Sequence, residues 1–349
     1  MRQLLKKLKN NDVSKNVIGI FIIKMLSLCV SFFSMPLYLK YFQEKSVLGA
    51  WYTLLSIVNW IYIFDFGMGN SLRNKLVKSL EQKQYHEARK YIETSYTMIG
   101  IIGLALVIIC MLGVIFADIN KMLDVSSQWI AARQLKKAVI ILAIGIVACF
   151  SLKTINAVLF AFQKAAITSI STLVSSATML LFILFYNNAN QSDAFIVLSV
   201  VHAVAICAPL LITTFIVFST NVGKMIRPHG LSLKKENVNE LMVLGVGFFA
   251  IQLMALFVIS TNELMITSFF GSSEVVEYSI YHKVFNMASS VFILAATPVW
   301  SKITQYIVKK DVFNLKKTYR ILMLCGVLAT GLIFLMIPML QIGFNLWLR

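Results

Sequence analysis

Long apolar blocks dominate the chain, broken by short polar segments, as in Met98 to Phe116 and Ala138 to Phe150. A bilayer-spanning helix needs about 20 consecutive apolar residues. On that measure the pattern predicts nine spans, near 17–40, 46–69, 92–117, 137–160, 167–186, 194–218, 241–269, 274–299 and 320–340. The runs are continuous rather than alternating, which excludes a membrane β-barrel. The expected fold class is an all-α polytopic membrane protein.

Composition agrees. Of 349 residues 58% are hydrophobic and only 13% charged, with a mean hydropathy of +0.79. That is about half the charge usual for a soluble domain, so a water-soluble fold is excluded. The net charge of +17 would suggest nucleic acid in a soluble protein. Here the cations sit between apolar blocks, where they report topology, and no nucleic acid is expected. With the N-terminus inside, the inner segments 1–15, 70–91, 161–166, 219–240 and 301–320 hold 22 Lys and Arg, and the outer ones hold 7. This asymmetry places the N-terminus in the cytoplasm. Val17 to Leu39 is too long for a signal-peptide core and reads as a retained helix. The cysteines Cys29, Cys110, Cys149, Cys207 and Cys325 lie in apolar runs without CxxC spacing, and read as small hydrophobes rather than disulfides or metal ligands.

Offsetting the chain by 228 residues aligns Phe42 with Phe270, Val47 with Val275 and Tyr91 with Tyr319. Both copies run long span, tight outer turn, long span, basic inner loop, third span. This predicts an N-lobe of six helices over residues 1–228 and a C-lobe of three over 229–349. The halves share an orientation and are related by an axis along the membrane normal. A full second half would need three more spans, so the sequence favours truncation.

Charges inside spans are expensive and mark functional candidates. Lys24, Ser27, Ser31 and Ser34 fall at spacings of three, four and three, which puts them on one helical face; the alternative is that Lys24 snorkels to the inner surface. Asp65 shares its depth in an antiparallel hairpin and is a candidate partner for Lys24. The eighth span carries Ser279, Lys283, Asn286, Ser290 and Thr297, with Glu263 on the seventh span at the depth of Lys283. Gln252, Ser260 and Thr267 extend the polar face of the seventh span. Lys153, Asn156 and Gln163 make a shorter stripe on the fourth. The candidate substrate-binding residues are thus Lys24, Ser27, Ser31, Lys153, Asn156, Lys283, Asn286 and Ser290, and the candidate gating or ion-pair residues Asp65 and Glu263. Self-satisfied ion pairs, Lys24–Asp65 and Lys283–Glu263, are the competing reading. Gly67 and Gly69 lack the Gly-Lys-Ser/Thr of a phosphate loop, His202 reads as a packing histidine, and Pro36, Pro209, Pro298 and Pro338 are kink candidates. No nucleophilic triad, carboxylate pair or metal-ligand spacing points to an enzyme, and no cofactor is expected.

The stretch Leu48-Gly49-Ala50-Trp51-Tyr52-Thr53-Leu54-Leu55-Ser56-Ile57, followed by Asp-x-Gly-x-Gly-Asn-x-x-Arg-Asn-Lys from Asp65 to Lys75, resembles the second span of bacterial lipid-linked oligosaccharide flippases (Wzx-like). These belong to the multidrug/oligosaccharidyl-lipid/polysaccharide exporter superfamily. Leu244-Gly245-Val246-Gly247-Phe248-Phe249 with Thr261-Asn262-Glu263 is similar to the start of that family's second half, where Glu263 replaces a frequent Asp. The family usually has twelve spans in two six-span lobes, three more than this chain. The resemblance implies a multi-pass protein of the bacterial inner membrane. It would flip undecaprenyl-diphosphate-linked oligosaccharide to the outer leaflet for O-antigen, capsule or exopolysaccharide assembly, in contact with the polysaccharide polymerase machinery. A coupling ion, H+ or Na+, is left open. A cavity with Lys24, Lys153 and Lys283 would suit an anionic diphosphate. The alternatives are a drug or cation antiporter of the same superfamily, which would be expected to line its cavity with carboxylates, and an inactive or truncated membrane scaffold.

Overall fold

The computed structural model describes residues 12–42, 44–63, 65–162, 164–186, 190–259, 261–286, 289 and 311–347. Fourteen helices occur among them: α1 (Asp12–Tyr41), α2 (Lys45–Ile63), α3 (Met68–Glu81), α4 (Tyr85–Phe116), α5 (Ile119–Met122), α6 (Ala132–Leu152), α7 (Thr154–Ala161), α8 (Ala165–Phe185), α9 (Gln191–Ser219), α10 (Asn221–Ile226), α11 (Lys235–Ile259), α12 (Asn262–Phe270), α13 (272–286) and α14 (Val312–Trp347). The described residues contain no strand.

Among the described residues six helices are long and apolar enough to cross a membrane: Tyr85–Phe116, Ala132–Ala161, Ala166–Phe185, Ser192–Ser219, Lys235–Met254 and Val312–Leu335. Shorter apolar stretches cover Met25–Tyr41 and Lys45–Val58. Ile101, Leu104, Ile108, Ile109, Ile115 and Phe116 of α4 are exposed, which a helix tolerates only when lipid replaces water around it. The protein is an all-α polytopic membrane protein.

Several expected spans are interrupted. The second, 46–69, ends at Ile63, because Phe66 (φ 51°) and Gly67 (φ 69°) are left-handed and the chain restarts as α3. The fourth pauses at Lys153 between α6 and α7. The seventh is divided into α11 and α12. The third and ninth are longer than expected, at 32 and 36 residues, because polar turns extend them beyond their apolar cores. The eighth span is described only over 272–286 and residue 289. Gln163, Ser260, Ser290, Thr297 and Pro298 lie outside the described residues, as does the side chain of Lys24.

The chain divides into two compact units, Met1–Pro36 with Ser279–Arg349, and Leu37–Tyr278. In the larger unit α6 packs on α9 and α4, and α3 packs on α7, α4 and α11. Small residues permit the α6–α9 approach: a Cβ on Gly145 would overlap that of Ala203. The Cys207 thiol donates to the Gly145 carbonyl at 3.1 Å along the same seam. Close backbone contact of this kind is the main source of helix association in lipid, where apolar burial gives little. All five cysteines are free; Cys149 is buried, as expected of a small hydrophobe, but Cys325 is exposed. Trp51, Phe42 and Phe195 fill the core where α2 meets α9, with the Trp51 and Phe195 rings edge-on at 5.4 Å.

Candidate functional site

The polar centre of the larger unit is built on the break between α2 and α3. The left-handed Phe66 and Gly67 fold the backbone so that Asp65 faces the first turn of α3. Its Oδ1 accepts from Gly67 N at 3.0 Å and its Oδ2 from Gly69 N at 3.2 Å. A carboxylate there meets unpaired amides and the positive end of the helix dipole. A third donor comes from α11: Gln252 Nε2 reaches Asp65 Oδ1 at 2.9 Å, while Gln252 Oε1 accepts from Gly67 N at 3.2 Å. Asp65 is buried.

The spacing on α11 explains the fit. Gly245, Phe249 and Gln252 are four and three residues apart and share one face. A Cβ on Gly67 would overlap the Gly245 carbonyl, so both glycines are required by the approach itself. Phe249 stacks on Phe66, with centroids 4.5 Å apart. Further along the seam, Ser71 Oγ donates to the Leu241 carbonyl at 2.7 Å.

Lys153 stands at the α6–α7 interruption, half-buried and within Coulombic range of Asp65. Asn156 begins the next turn, its N–H donating to the Lys153 carbonyl at 2.9 Å. The Asn156 Oδ1 is buried without a hydrogen-bond partner among the described residues. The structure therefore brings Asp65, Lys153 and Gln252 into one electrostatic neighbourhood, with Asn156 on the turn that follows Lys153.

Towards the opposite end of α2 lies a second polar contact, with α12. Glu263 Oε2 accepts from Ser56 Oγ at 2.9 Å, and the Thr53 and Thr267 hydroxyls meet at 2.6 Å. A Cβ on Gly49 would overlap the Ser272 carbonyl. Asp124 closes this end, its Oδ2 accepting from Ser272 N at 3.0 Å and its carbonyl from Ser272 Oγ at 2.7 Å.

The smaller unit carries the remaining described candidates. Lys283 Nζ donates to Met35 Sδ at 3.3 Å. Ser27 is buried, with its hydroxyl on the Ile23 carbonyl at 3.0 Å, and Ser31 gives its carbonyl to Ser34 Oγ at 2.7 Å. Asn286 is exposed. The expected pairs Lys24–Asp65 and Lys283–Glu263 each have one member in each unit; Asp65, Glu263 and Lys283 are described with partners of their own unit, and the side chain of Lys24 lies outside the described residues. Sequence reasoning misses the roles of the Thr53 and Ser56 hydroxyls, and of Gly245 and Phe249. The four-and-three spacing of Gly245, Phe249 and Gln252 is the available signal for the last two.

No family model matches the chain, and no curated protein matches it. Solved structures do. One is an inward-facing multidrug-resistance MATE-family transporter of the MOP superfamily, with a TM-score of 0.71 at 14% identity, covering 94% of this chain and 75% of the other. An outward-facing transporter of the same description gives 0.66 at 14%, covering 98% and 77%. A MATE in complex with MaD3S gives 0.67 at 13%, covering 97% and 77%. The chain therefore shares the fold of these proteins.

Proposed function

We propose that this chain is a membrane transporter working by alternating access, and that its cargo is undecaprenyl-diphosphate-linked oligosaccharide, flipped to the outer leaflet of the bacterial inner membrane with the N-terminus cytoplasmic. The observation that carries the reading is the saturation of Asp65. Its carboxylate already accepts from Gly67 N, Gly69 N and Gln252 Nε2, so it is poorly placed to receive an organic cation. Lys153 adds positive charge beside it, and the Asn156 Oδ1 supplies a buried acceptor that a sugar hydroxyl would satisfy. An anionic diphosphate cannot cross hydrocarbon bare, and lysines with amides and hydroxyls suit phosphate and sugar together. In this reading Lys24, Lys153, Lys283, Ser27, Ser31, Asn156, Asn286 and Ser290 line the path, and Asp65 and Glu263 hold or gate it.

A drug or cation antiporter is the second reading. It is favoured by the fold shared with multidrug transporters and by Glu263, whose described side-chain partner is the Ser56 hydroxyl.

The test uses purified protein in proteoliposomes with a fluorescent polyprenyl-diphosphate oligosaccharide, following its protection from a membrane-impermeant quencher. Flipping by the wild type, a roughly tenfold slower rate in Lys153→Gln and partial retention in Lys153→Arg support the proposal. Ethidium transport abolished by Glu263→Gln, without lipid flipping, would replace it with the antiporter. Neither activity, in folded protein, would leave the scaffold reading.

A further inference from the structure

The segment 220–234 joins two helices that are each long and apolar enough to cross a membrane, Ser192–Ser219 and Lys235–Met254. It must therefore return to the same membrane surface at which it left. It is held there by α4: Arg89 Nη2 donates to the Met225 carbonyl at 2.6 Å, His229 N to Glu93 Oε1 at 3.0 Å, and Ser232 N to Thr97 Oγ1 at 3.1 Å. Contacts at 89, 93 and 97 follow one face of α4, four residues apart, so the segment is strapped lengthwise along that helix.

Its outer face combines two features. Val222, Met225, Leu231 and Leu233 are exposed, Leu231 at 86%. Lys224, Arg227, Lys234 and Lys235 are exposed beside them, and no acidic residue intervenes before Glu236. Within α10, Gly223 and Ile226 turn inward while Val222 and Met225 turn outward. Soluble phosphate or nucleic acid would use the cations but gain nothing from a leucine exposed at 86%. The interface of an anionic leaflet uses both, taking apolar side chains at the acyl boundary and cations at the phosphates.

We propose that residues 220–234, with Lys235, form an interfacial strap that binds anionic phospholipid of the leaflet it faces, inserting Leu231 and Leu233 below headgroups held by Lys224, Arg227, Lys234 and Lys235. The strap fixes the depth of the following helix α11, which carries Gly245, Phe249 and Gln252 to the α2–α3 break.

The experiment places the photo-crosslinker p-benzoylphenylalanine at 231 in the full chain, in nanodiscs of phosphatidylglycerol or of phosphatidylcholine, and reads adducts by mass. Each cation near an anionic surface contributes about fivefold to binding. The expected result is a lipid adduct at 231, at least roughly fivefold more abundant in phosphatidylglycerol, and reduced there by the combined Lys224→Gln, Arg227→Gln, Lys234→Gln and Lys235→Gln variant. None of these four side chains makes a described hydrogen bond to α4, so that variant should fold, checked by its melting temperature. Should it not fold, the comparison of the two lipids with native cations decides alone. Equal yields in both lipids, no lipid adduct, or an adduct to a co-purified protein would overturn the proposal.

Discussion

Asp65→Ala should be among the most destabilising single changes in the chain, and its cost should depend on Gln252. Removing the carboxylate strands Gly69 N–H in the first turn of α3 and the Gln252 amide on α11, while Gly67 N–H keeps Gln252 Oε1 as an acceptor at 3.2 Å. Two half-buried donors left without acceptors cost about 1–2 kcal/mol each, towards the lower end of the penalty for unpaired buried groups. Lys153 also loses the opposite charge in whose field it sits; because it is half-buried, this adds less than the several kcal/mol of a fully buried broken pair. The total is about 3–5 kcal/mol. Gln252→Ala removes one of three donors to a carboxylate that retains two backbone amides, costing about 1–2 kcal/mol. In the double variant the stranded Gln252 amide is gone but Gly67 N–H loses both of its acceptors. These two effects offset, and because the Asp65–Gln252 contact is lost only once, the total should fall short of the sum by about 1–2 kcal/mol, within the range for contacting residues. The assay is reversible unfolding in mixed micelles, followed by far-UV circular dichroism and by tryptophan fluorescence, with coincident transitions required. Losses that add to within about 0.3 kcal/mol, or an Asp65→Ala loss below about 1 kcal/mol, would refute the assignment of Asp65 as the acceptor that ties α3 to α11.

Gly49→Leu should prevent α2 from meeting the turn into α13, because even a Cβ there would overlap the Ser272 carbonyl; a stability loss of about 3 kcal/mol or more or loss of folded protein is expected in the same assay, whereas Gly100→Leu, where a Cβ meets nothing within 4 Å, should change it by less than about 0.5 kcal/mol. The Lys75–Glu240 ion pair, with side chains 23% and 47% exposed, should contribute at most about 1 kcal/mol, so Lys75→Gln should leave flipping in proteoliposomes near the wild-type rate at matched protein level.

The third, fourth, fifth and sixth spans are legible in the sequence to within a few residues at most ends, because lipid enforces a length of apolar chain that hydropathy reads directly. The breaks are not. A window that averages apolar character passes over Phe66, Gly67 and Lys153, since one or two non-helical residues barely alter the mean. The Asp-x-Gly-x-Gly spacing does carry the information: a carboxylate two and four residues before flexible amides can cap its own following helix. Comparison with phosphate loops obscures that meaning, because there the glycine amides serve a ligand rather than a neighbouring side chain. Depth matching likewise ranks charges only by their position along the membrane normal. It places Lys24 with Asp65, but it has no means of finding Gln252, whose amide comes from 187 residues further along the chain.

These breaks also divide the candidate residues by what they are able to do. Non-helical backbone at membrane depth persists only where protein or a lined cavity satisfies it. At Phe66–Gly67 the satisfaction is complete in kind: Asp65 takes the amides of the first turn, Gly245 admits the backbone, and Phe249 covers Phe66. A side chain committed to three donors can release them only if Gln252 on α11 draws away and the first turn of α3 opens, so on the proposed reading Asp65 holds or gates rather than ligates cargo. Lys153 is placed differently. Its interruption is closed by main chain, because Lys153 N donates to Cys149 O at 2.8 Å and Asn156 N donates to Lys153 O at 2.9 Å. Replacing the Lys153 side chain therefore leaves the hydrogen bonds of its own turn in place. On the proposed reading the cost of a charge at that depth is offset by Asp65 and by the anionic cargo together.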